Sequence, residues 1–141
     1  MKVVKFGGSS LASATQLEKV LNIIKSDEER RFVVVSAPGK RNAQDTKVTD
    51  ALIRYYRSYT SDKDVTADQS WIINRYRAII DELGLGQNIL EKITKAIVDL
   101  ANLPIEDNDF LYDTFLAAGE DNNAKLIAEY FRKNGLSARY I

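Results

Sequence analysis

Apolar positions along the chain follow two periods, which predict strands and helices in alternation. Two short runs rich in β-branched and aromatic residues lie at 2–6 and 32–36 and predict strands. Between them, apolar residues recur at helical spacing and predict an amphipathic helix over about 11–26: Leu17, Val20, Leu21 and Ile24. The order strand, helix, strand is typical of a right-handed crossover in a parallel sheet. The unbroken apolarity of the second run predicts a strand buried on both faces.

The rest of the chain is predominantly helical in pattern. A helix is predicted from Val48, and the polar stretch 58–69 is interpreted as a surface excursion. Apolar stripes over 72–83 and 90–100 predict two more helices, the first closed by Gly84 and Gly86. Beyond Pro104 we expect one helix around 111–115 and a separate last helix over about 119–133, with a third strand at 136–141. The predicted fold class is α/β, with a mainly parallel sheet sandwiched by helices.

Composition narrows the function. The chain has 141 residues, 45% hydrophobic and 28% charged, which indicates one globular domain. Twenty basic and twenty acidic residues cancel, so no net field favours nucleic acid or a membrane surface. With no cysteine and no histidine, chemistry must use Lys, Asp, Glu, Ser, Thr and backbone amides. Phosphoryl transfer suits that set. No segment is apolar enough to span a membrane and no signal-peptide pattern is visible, so we expect a cytoplasmic protein.

The first candidate site is the turn after the first strand, Lys5-Phe6-Gly7-Gly8-Ser9-Ser10. The glycines allow the backbone to approach an anion, and Lys5 adds a positive charge at the strand end. Ligands of open α/β sheets bind at those ends, which favours a phosphate cradle. The alternative is a plain strand-to-helix turn with Ser9 or Ser10 as the N-cap.

The second candidate is the loop Ser36-Ala37-Pro38-Gly39-Lys40, which follows the second strand. Parallel strands end at the same sheet edge, so the two loops should lie side by side and form the floor of a cleft. The alternative is an ordinary loop in which Lys40 and Arg41 are simply solvated. Thr49 and Asp50 begin the next helix, where each is either a ligand or a cap.

The third candidate is Glu120, which shares a helical face with Ala124, Ile127 and Phe131. Because that face is otherwise apolar, we expect the carboxylate to point inward and to meet a cationic ligand group. Gly119 beside it allows close backbone approach. The alternative is an exposed first-turn residue favoured by the helix dipole.

Other conspicuous residues are given structural interpretations. Asp45 and the acidic run at 106–109 lack the spacing of metal ligands, so no metal site is predicted there. Three tyrosines of the helix that begins at Val48 are interpreted as core plus surface rather than a base-stacking platform: Tyr55, Tyr56 and Tyr59. Trp71 is interpreted as core.

Together these stretches resemble the N-terminal part of the aspartate kinases, in the amino-acid kinase superfamily. The segments that match, in order, are the Lys5–Ser10 turn, 34–40, 46–50 (Thr-Lys-Val-Thr-Asp) and Gly119-Glu120. Ala117 departs from the serine that members often carry three residues before this glutamate. The second and third segments favour aspartate kinases over relatives acting on acetylglutamate, glutamate, carbamate or UMP.

The resemblance implies ATP-dependent phosphorylation of the β-carboxylate of L-aspartate, the first step toward lysine, threonine and methionine, with ATP and Mg²⁺ required. It implies that Lys5 is catalytic and binds the transferring phosphoryl group, and that Gly7, Gly8 and Ser9 hold phosphate oxygens. Ser36 and Thr49 would border the aspartate carboxylate, and Glu120 would face the ammonium group.

The resemblance also sets the expected domain organisation. Residues 1–141 would form the amino-acid-binding N-terminal lobe of the catalytic domain, without the nucleotide lobe or ACT-type regulatory domains. We therefore expect little activity from this chain alone, and an incomplete domain that exposes apolar surface favours a homo-oligomer. The alternatives are a non-catalytic module that binds aspartate or an anion, and another amino-acid kinase such as an acetylglutamate or glutamate kinase.

Overall fold

A computed structural model describes all residues, 1–141, and contains a two-stranded parallel sheet. Strand β1 (Lys2–Phe6) pairs with β2 (Arg30–Val35), and the register sets Lys5 opposite Val34 and Phe6 opposite Val35. The crossover between them is helix α1 (Ala14–Lys25). Ser13 caps α1, accepting a hydrogen bond from the backbone N–H of Gln16 at 3.4 Å. The predicted strand, helix, strand order is confirmed, and the chain is α/β.

One face of the sheet is packed and the other is bare. Val4, Phe6, Val33 and Val35 alternate along the strands and pack against the hydrophobic core. On the other face Val3, Phe32 and Val34 are 67%, 45% and 46% exposed. The prediction that β2 is buried on both faces is therefore wrong. Side chains of a strand alternate between faces, and all the helices that cover this sheet lie on one side.

Four more helices supply most of the core. They are α2 (Val48–Thr60), α3 (Thr66–Glu82), α4 (Gln87–Asp99) and α5 (Asn108–Lys133). The largest fully buried side chains include Tyr55, Tyr76 and Phe115, on three different helices. Gly84, at φ +64°, follows the end of α3, as its position in the sequence predicts. The predicted surface excursion at 58–69 is mostly wrong, because 58–60 end α2 and 66–69 begin α3, and only 61–65 lie between the two helices.

The predictions for two parts of the chain, 111–133 and 136–141, are wrong. The helix around 111–115 and the helix from 119 are one 26-residue helix, α5, because no breaker separates them and Gly119 is accommodated within it. Residues 136–141 form no strand. They lie beside α5 instead, where the Tyr140 hydroxyl donates to Asp121 and the Lys125 ammonium lies 5.4 Å from the Tyr140 ring centroid. None of the helices has the length and apolarity needed to cross a membrane.

Candidate functional site

The two strand-end loops are in direct backbone contact. The N–H of Gly39 donates to the carbonyl of Gly8 at 2.8 Å. A Cβ on Gly39 would lie 2.5 Å from the carbonyl carbon of Gly8, and one on Gly8 would lie 3.0 Å from the carbonyl oxygen of Ala37. The distance at Gly39 is too short for any side chain, so that position requires glycine, whereas a side chain at Gly8 would be tightly packed and would force the second loop to shift slightly. The prediction that the two loops lie side by side at one sheet edge is confirmed.

The first loop leaves its predicted ligand-binding groups accessible. Lys5, Gly7 and Ser9 are exposed, and a Cβ on Gly7 would meet nothing within 4 Å. Gly8 to Leu11 form a single 3-10 turn, and α1 begins only at Ala14, so neither Ser9 nor Ser10 is the N-cap of that helix. The two glycines of the motif thus differ: Gly8 serves the contact between loops, whereas Gly7 faces open space.

A polar hollow lies beside this turn. It has a volume of about 350 Å³ and is lined by both loops and the start of α1, with Ser9, Ser13, Gln16, Lys40 and Arg41 among its lining residues. Both Lys40 and Arg41 are exposed. Lys40 has no ion-pair partner, as the alternative interpretation of the second loop predicts, whereas Arg41 is not simply solvated, because it forms an ion pair with Asp45 at 2.9 Å. Two cations and several hydroxyl or amide groups around one hollow make its surroundings suited to anions.

The second loop is held from α5 and α2. Asn123 of α5 is fully buried, and its side-chain amide donates to the carbonyl of Ser36 at 2.7 Å. One helical turn earlier, Gly119 packs against the same loop, since a Cβ there would lie 2.8 Å from the Cβ of Ala37. The N–H of Val48, the first residue of α2, donates to the carbonyl of Pro38 at 3.1 Å. Ser36 itself is half-buried.

The structural environments of Thr49 and Glu120 differ from the predicted ones. Helix α2 begins at Val48 after Lys47 with no side-chain cap, so neither Thr49 nor Asp50 acts as the N-cap; Thr49 is half-buried in the first turn. The Glu120 side chain is exposed rather than inward. The buried face of α5 is set by Leu111, Phe115, Gly119 and Asn122, and residue 120 lies about 100° around the helix from Gly119. The alternative interpretation is right that Glu120 is exposed but wrong about its position, because Glu120 lies in the middle of α5 and not in a first turn.

The structure therefore brings only some of the predicted site residues together. Backbone hydrogen bonds join the glycine turn to the second loop and the second loop to Val48, beside Thr49. The Asn123 side chain and Gly119 join the same loop to the α5 segment next to Glu120. Lys5 and Glu120 form no ion pair with each other or with another residue. Both charged groups are exposed, and each remains available to a ligand.

Sequence reasoning missed the most buried charge near the site, Arg75 of α3, which is 4% exposed. Its guanidinium lies 3.1 Å from the carboxylate of Asp45 and donates to the carbonyls of Gly39 and Thr46. Burial is the main cause that lowers the pKa of Arg75 from its ordinary value, with the Asp45 charge acting in the opposite direction. The hydrogen bond from Arg41 is the main cause that lowers the pKa of Asp45. An available signal was that residue 75 falls inside the apolar stripe of Ile72, Tyr76 and Ile79.

The remaining conspicuous residues are structural. Tyr55 is buried and donates to the carbonyl of Ile97 at 2.9 Å, while Tyr56 and Tyr59 are half-buried beside Phe115, which confirms core plus surface. Asp107, in the acidic run, caps α5 by accepting from the N–H of Phe110 at 3.0 Å. Trp71 is only half-buried, against the prediction of a core residue.

The fold is thus an α/β fold with a small parallel sheet whose two strand-end loops are in contact, one of them bearing a lysine and a glycine pair. The sequence model of the Amino acid kinase family matches residues 1–141, and the chain belongs to that family.

The relatives that this chain resembles are aspartokinases. Aspartokinase 3 of Bacillus subtilis is 50% identical over all 141 residues, which cover 31% of that protein. Aspartokinase 2, chloroplastic, of Arabidopsis thaliana is 29% identical, with 97% of this chain and 25% of the relative aligned. The chain thus spans about a third or less of the length of these relatives.

The solved structures that this chain resembles are also aspartate kinases. The aspartate kinase of Clostridium acetobutylicum matches with a TM-score of 0.76 and 35% identity, covering 92% of this chain and 29% of that one. Aspartokinase III of E. coli in complex with aspartate and ADP matches with a TM-score of 0.56 and 26% identity, covering 97% and 30%. The predicted resemblance to the aspartate kinases is confirmed.

Proposed function

We propose that residues 1–141 form the amino-acid-binding N-terminal lobe of an aspartate kinase, which uses ATP to phosphorylate the β-carboxylate of L-aspartate. The observation that carries this proposal is the backbone contact of the two strand-end loops, with Gly39 donating to Gly8 at 2.8 Å. Because of that contact, the residues proposed to bind the phosphoryl group lie on a loop next to the one that carries residues proposed to bind the amino acid. Reaction between two bound groups requires such proximity.

The glycine turn is assigned to the phosphoryl group. In the proposed reaction a β-carboxylate oxygen attacks the γ-phosphorus of ATP while the bond to ADP breaks. The carboxylate is already ionised at neutral pH, so no general base is required, in keeping with a chain that has no histidine. Lys5 neutralises negative charge on the transferring group, and the backbone of Gly7, Gly8 and Ser9 holds its oxygens. The exposure of Lys5 and the open space around Gly7 support these roles.

The second loop and α5 are assigned to aspartate. Ser36 and Thr49 border its carboxylate, and Glu120 pairs with its ammonium group. Support comes from Asn123, whose side-chain amide donates to the carbonyl of Ser36 at 2.7 Å. Asn123 lies on the same helix as Glu120, three residues further along. An exposed Glu120 suits a ligand that arrives from solvent better than a buried one would, because a buried carboxylate without a partner is strongly unfavourable.

ATP enters as the magnesium complex, a co-substrate rather than a resident group. The chain holds no cluster of three acidic, histidine or cysteine residues suited to a metal ion, and its ordered carboxylates near the site, such as Asp45, are occupied by guanidinium groups. Mg²⁺ would therefore arrive on the nucleotide phosphates. A cytoplasmic location and self-association remain predictions.

A chimera tests the proposal. Residues 1–141 replace the matching segment of Bacillus subtilis Aspartokinase 3, to which they align over their whole length. The hydroxamate assay for acyl phosphates is run with aspartate, glutamate and N-acetylglutamate. We expect ATP-dependent turnover with aspartate alone. Turnover with another acceptor favours a different amino-acid kinase, and binding of aspartate without turnover favours the non-catalytic module.

Glu120→Gln in the chimera tests the ammonium contact, with Glu91→Gln as the matched control, since Glu91 is exposed on α4 away from the loops. We expect the aspartate KM to rise about 10- to 100-fold for Glu120→Gln, as loss of a charge-assisted contact predicts, and not for the control. Equal KM values for both variants would remove Glu120 from the aspartate site.

A further inference from the structure

The loop between β2 and α2 is long and has no secondary structure of its own. It runs over residues 36–47, and it carries Ser36 at one end and leads into Thr49 at the other. A loop of this length is expected to sample several conformations unless other contacts hold it. The proposed aspartate contacts thus depend on whatever fixes this loop.

Arg75 provides that fixation from α3. One terminal nitrogen of the guanidinium contacts the carboxylate of Asp45 at 3.1 Å and the carbonyl of Thr46 at 3.3 Å, near the end of the loop. The other terminal nitrogen donates to the carbonyl of Gly39, near its start. A planar, rigid guanidinium is suited to bridging two separated acceptors, which a lysine ammonium cannot match.

Asp45 completes the network. Its side chain, 8% exposed, accepts from the backbone N–H and the Nε of Arg41, both at 2.9 Å, and from the backbone N–H of Thr46 at 2.9 Å. The carboxylate is thus bonded at three points of its own loop as well as to Arg75. Removal of the Asp45 carboxylate leaves the buried Arg75 guanidinium without an anionic partner, whereas Asp45 without Arg75 keeps its ion pair with Arg41.

The bridge also reaches the glycine turn. Gly39, whose carbonyl accepts from Arg75, uses its N–H to bond the carbonyl of Gly8. One residue thus links α3 to both strand-end loops.

We infer that Arg75 is a positioning residue for aspartate binding, acting through Gly39 and Asp45 to hold loop 36–47 in its binding geometry. This inference rests on the proposed function. Arg75 touches neither proposed substrate group. Its three polar contacts are all on loop 36–47, and it reaches the glycine turn only indirectly, through Gly39 and Gly8, so its loss acts on aspartate affinity more than on the nucleotide.

The chimera described above supplies the kinetic test, with Arg75→Met, Arg75→Lys and Asp45→Asn. The matched control is Arg54→Met. The Arg54 guanidinium lies 5.9 Å from the Trp71 ring centroid, as does that of Arg75, but it pairs with Asp68 and does not touch the loop. We expect Arg75→Met and Asp45→Asn to raise the aspartate KM about 10- to 100-fold, with the ATP KM unchanged, and Arg54→Met to change neither.

Two readouts separate positioning from general destabilisation. Methylguanidinium added to Arg75→Met is expected to lower the aspartate KM again, and Arg75→Lys to give an intermediate KM. In the 141-residue chain, hydrogen exchange of the amides in 36–47 is expected to rise in Arg75→Lys while exchange in α4 is unchanged.

The outcomes are distinct from those for the proposed function. An unmodified chimera without aspartate-dependent turnover overturns the proposed function. A working chimera in which Arg75→Lys and Asp45→Asn keep the parental aspartate KM, or in which exchange in 36–47 stays at the parental rate, overturns the role of Arg75. Should Arg75→Met fail to fold, Arg75→Lys and Asp45→Asn decide the question by the same measurements.

Discussion

Gly39→Ala tests whether the contact between the two loops sets the local geometry. The added methyl would lie 2.5 Å from the carbonyl carbon and 2.7 Å from the carbonyl oxygen of Gly8, and 2.7 Å from the N–H nitrogen of Ser9. All three atoms are backbone, so no side-chain rotation relieves the overlap. The loops must separate, and the 2.8 Å hydrogen bond from Gly39 to Gly8 is lost with them.

The expected size follows from two contributions. Overpacking of a tight site costs about 1–3 kcal/mol, and loss of one hydrogen bond costs about 0.5–1.5 kcal/mol. The free energy of unfolding should therefore fall by about 1.5–4.5 kcal/mol in Gly39→Ala. At about 2–4 °C per kcal/mol for a chain of this size, the melting temperature should fall by roughly 3–18 °C.

The assay is urea unfolding of the 141-residue chain, followed by circular dichroism and by the fluorescence of Trp71, its single tryptophan. Gly7→Ala is the control, because its methyl would meet nothing within 4 Å and its φ of −80° suits any residue. We expect the control to change the free energy of unfolding by no more than about 0.5–1 kcal/mol. If Gly39→Ala is no less stable than Gly7→Ala, the reasoning from close backbone approach is wrong.

Three further predictions follow from other contacts. Tyr76→Phe removes the buried hydroxyl that donates to the carbonyl of Gly119 at 2.7 Å, and should lower the free energy of unfolding by about 1–3 kcal/mol in urea titrations; an unchanged midpoint would contradict this. Asp45 has a folded pKa below its ordinary value, so it stabilises the fold above about pH 4 and that stability is lost as the pH falls. Asp45→Asn should therefore flatten the acid side of the stability–pH curve measured from pH 3 to 7, whereas parallel curves would exclude this carboxylate as a cause. Lys5→Ala in the chimera should lower kcat about 10²- to 10³-fold, since loss of one charge-stabilising group has that effect, while the melting temperature changes little because Lys5 is exposed; normal turnover would remove Lys5 from the mechanism.

Local pattern was sufficient for the parts of the fold that depend on neighbours in the chain. The period of apolar residues located β1, α1, β2 and the helices α2 to α4, and Gly84 marked the end of α3. The same local signals placed Lys5, Gly7 and Ser36 at strand ends, because a β-branched run followed by glycine or proline indicates the end of a strand and the start of a loop.

Only tertiary packing decided the orientation of Glu120. A stripe of Ala124, Ile127 and Phe131 suggested an inward carboxylate, but the buried face of the continuous helix passes through Gly119 and Asn123, which contact the second loop. Tertiary structure also decided the state of 136–141. This segment has a strand-like composition, but it does not pair with β2 or join the sheet. Strand pairing and helix phase depend on partners distant in sequence.

By itself, then, the sequence determined an α/β chain with a cationic glycine turn and a second loop at the same sheet edge, since these follow from periodicity and from what glycine permits. The tertiary structure decided which glycine is sterically required, which face of the sheet stays bare and that a buried arginine from α3 holds the second loop. Those features arise from contacts between residues tens of positions apart, such as Arg75 with Gly39, which no local pattern encodes.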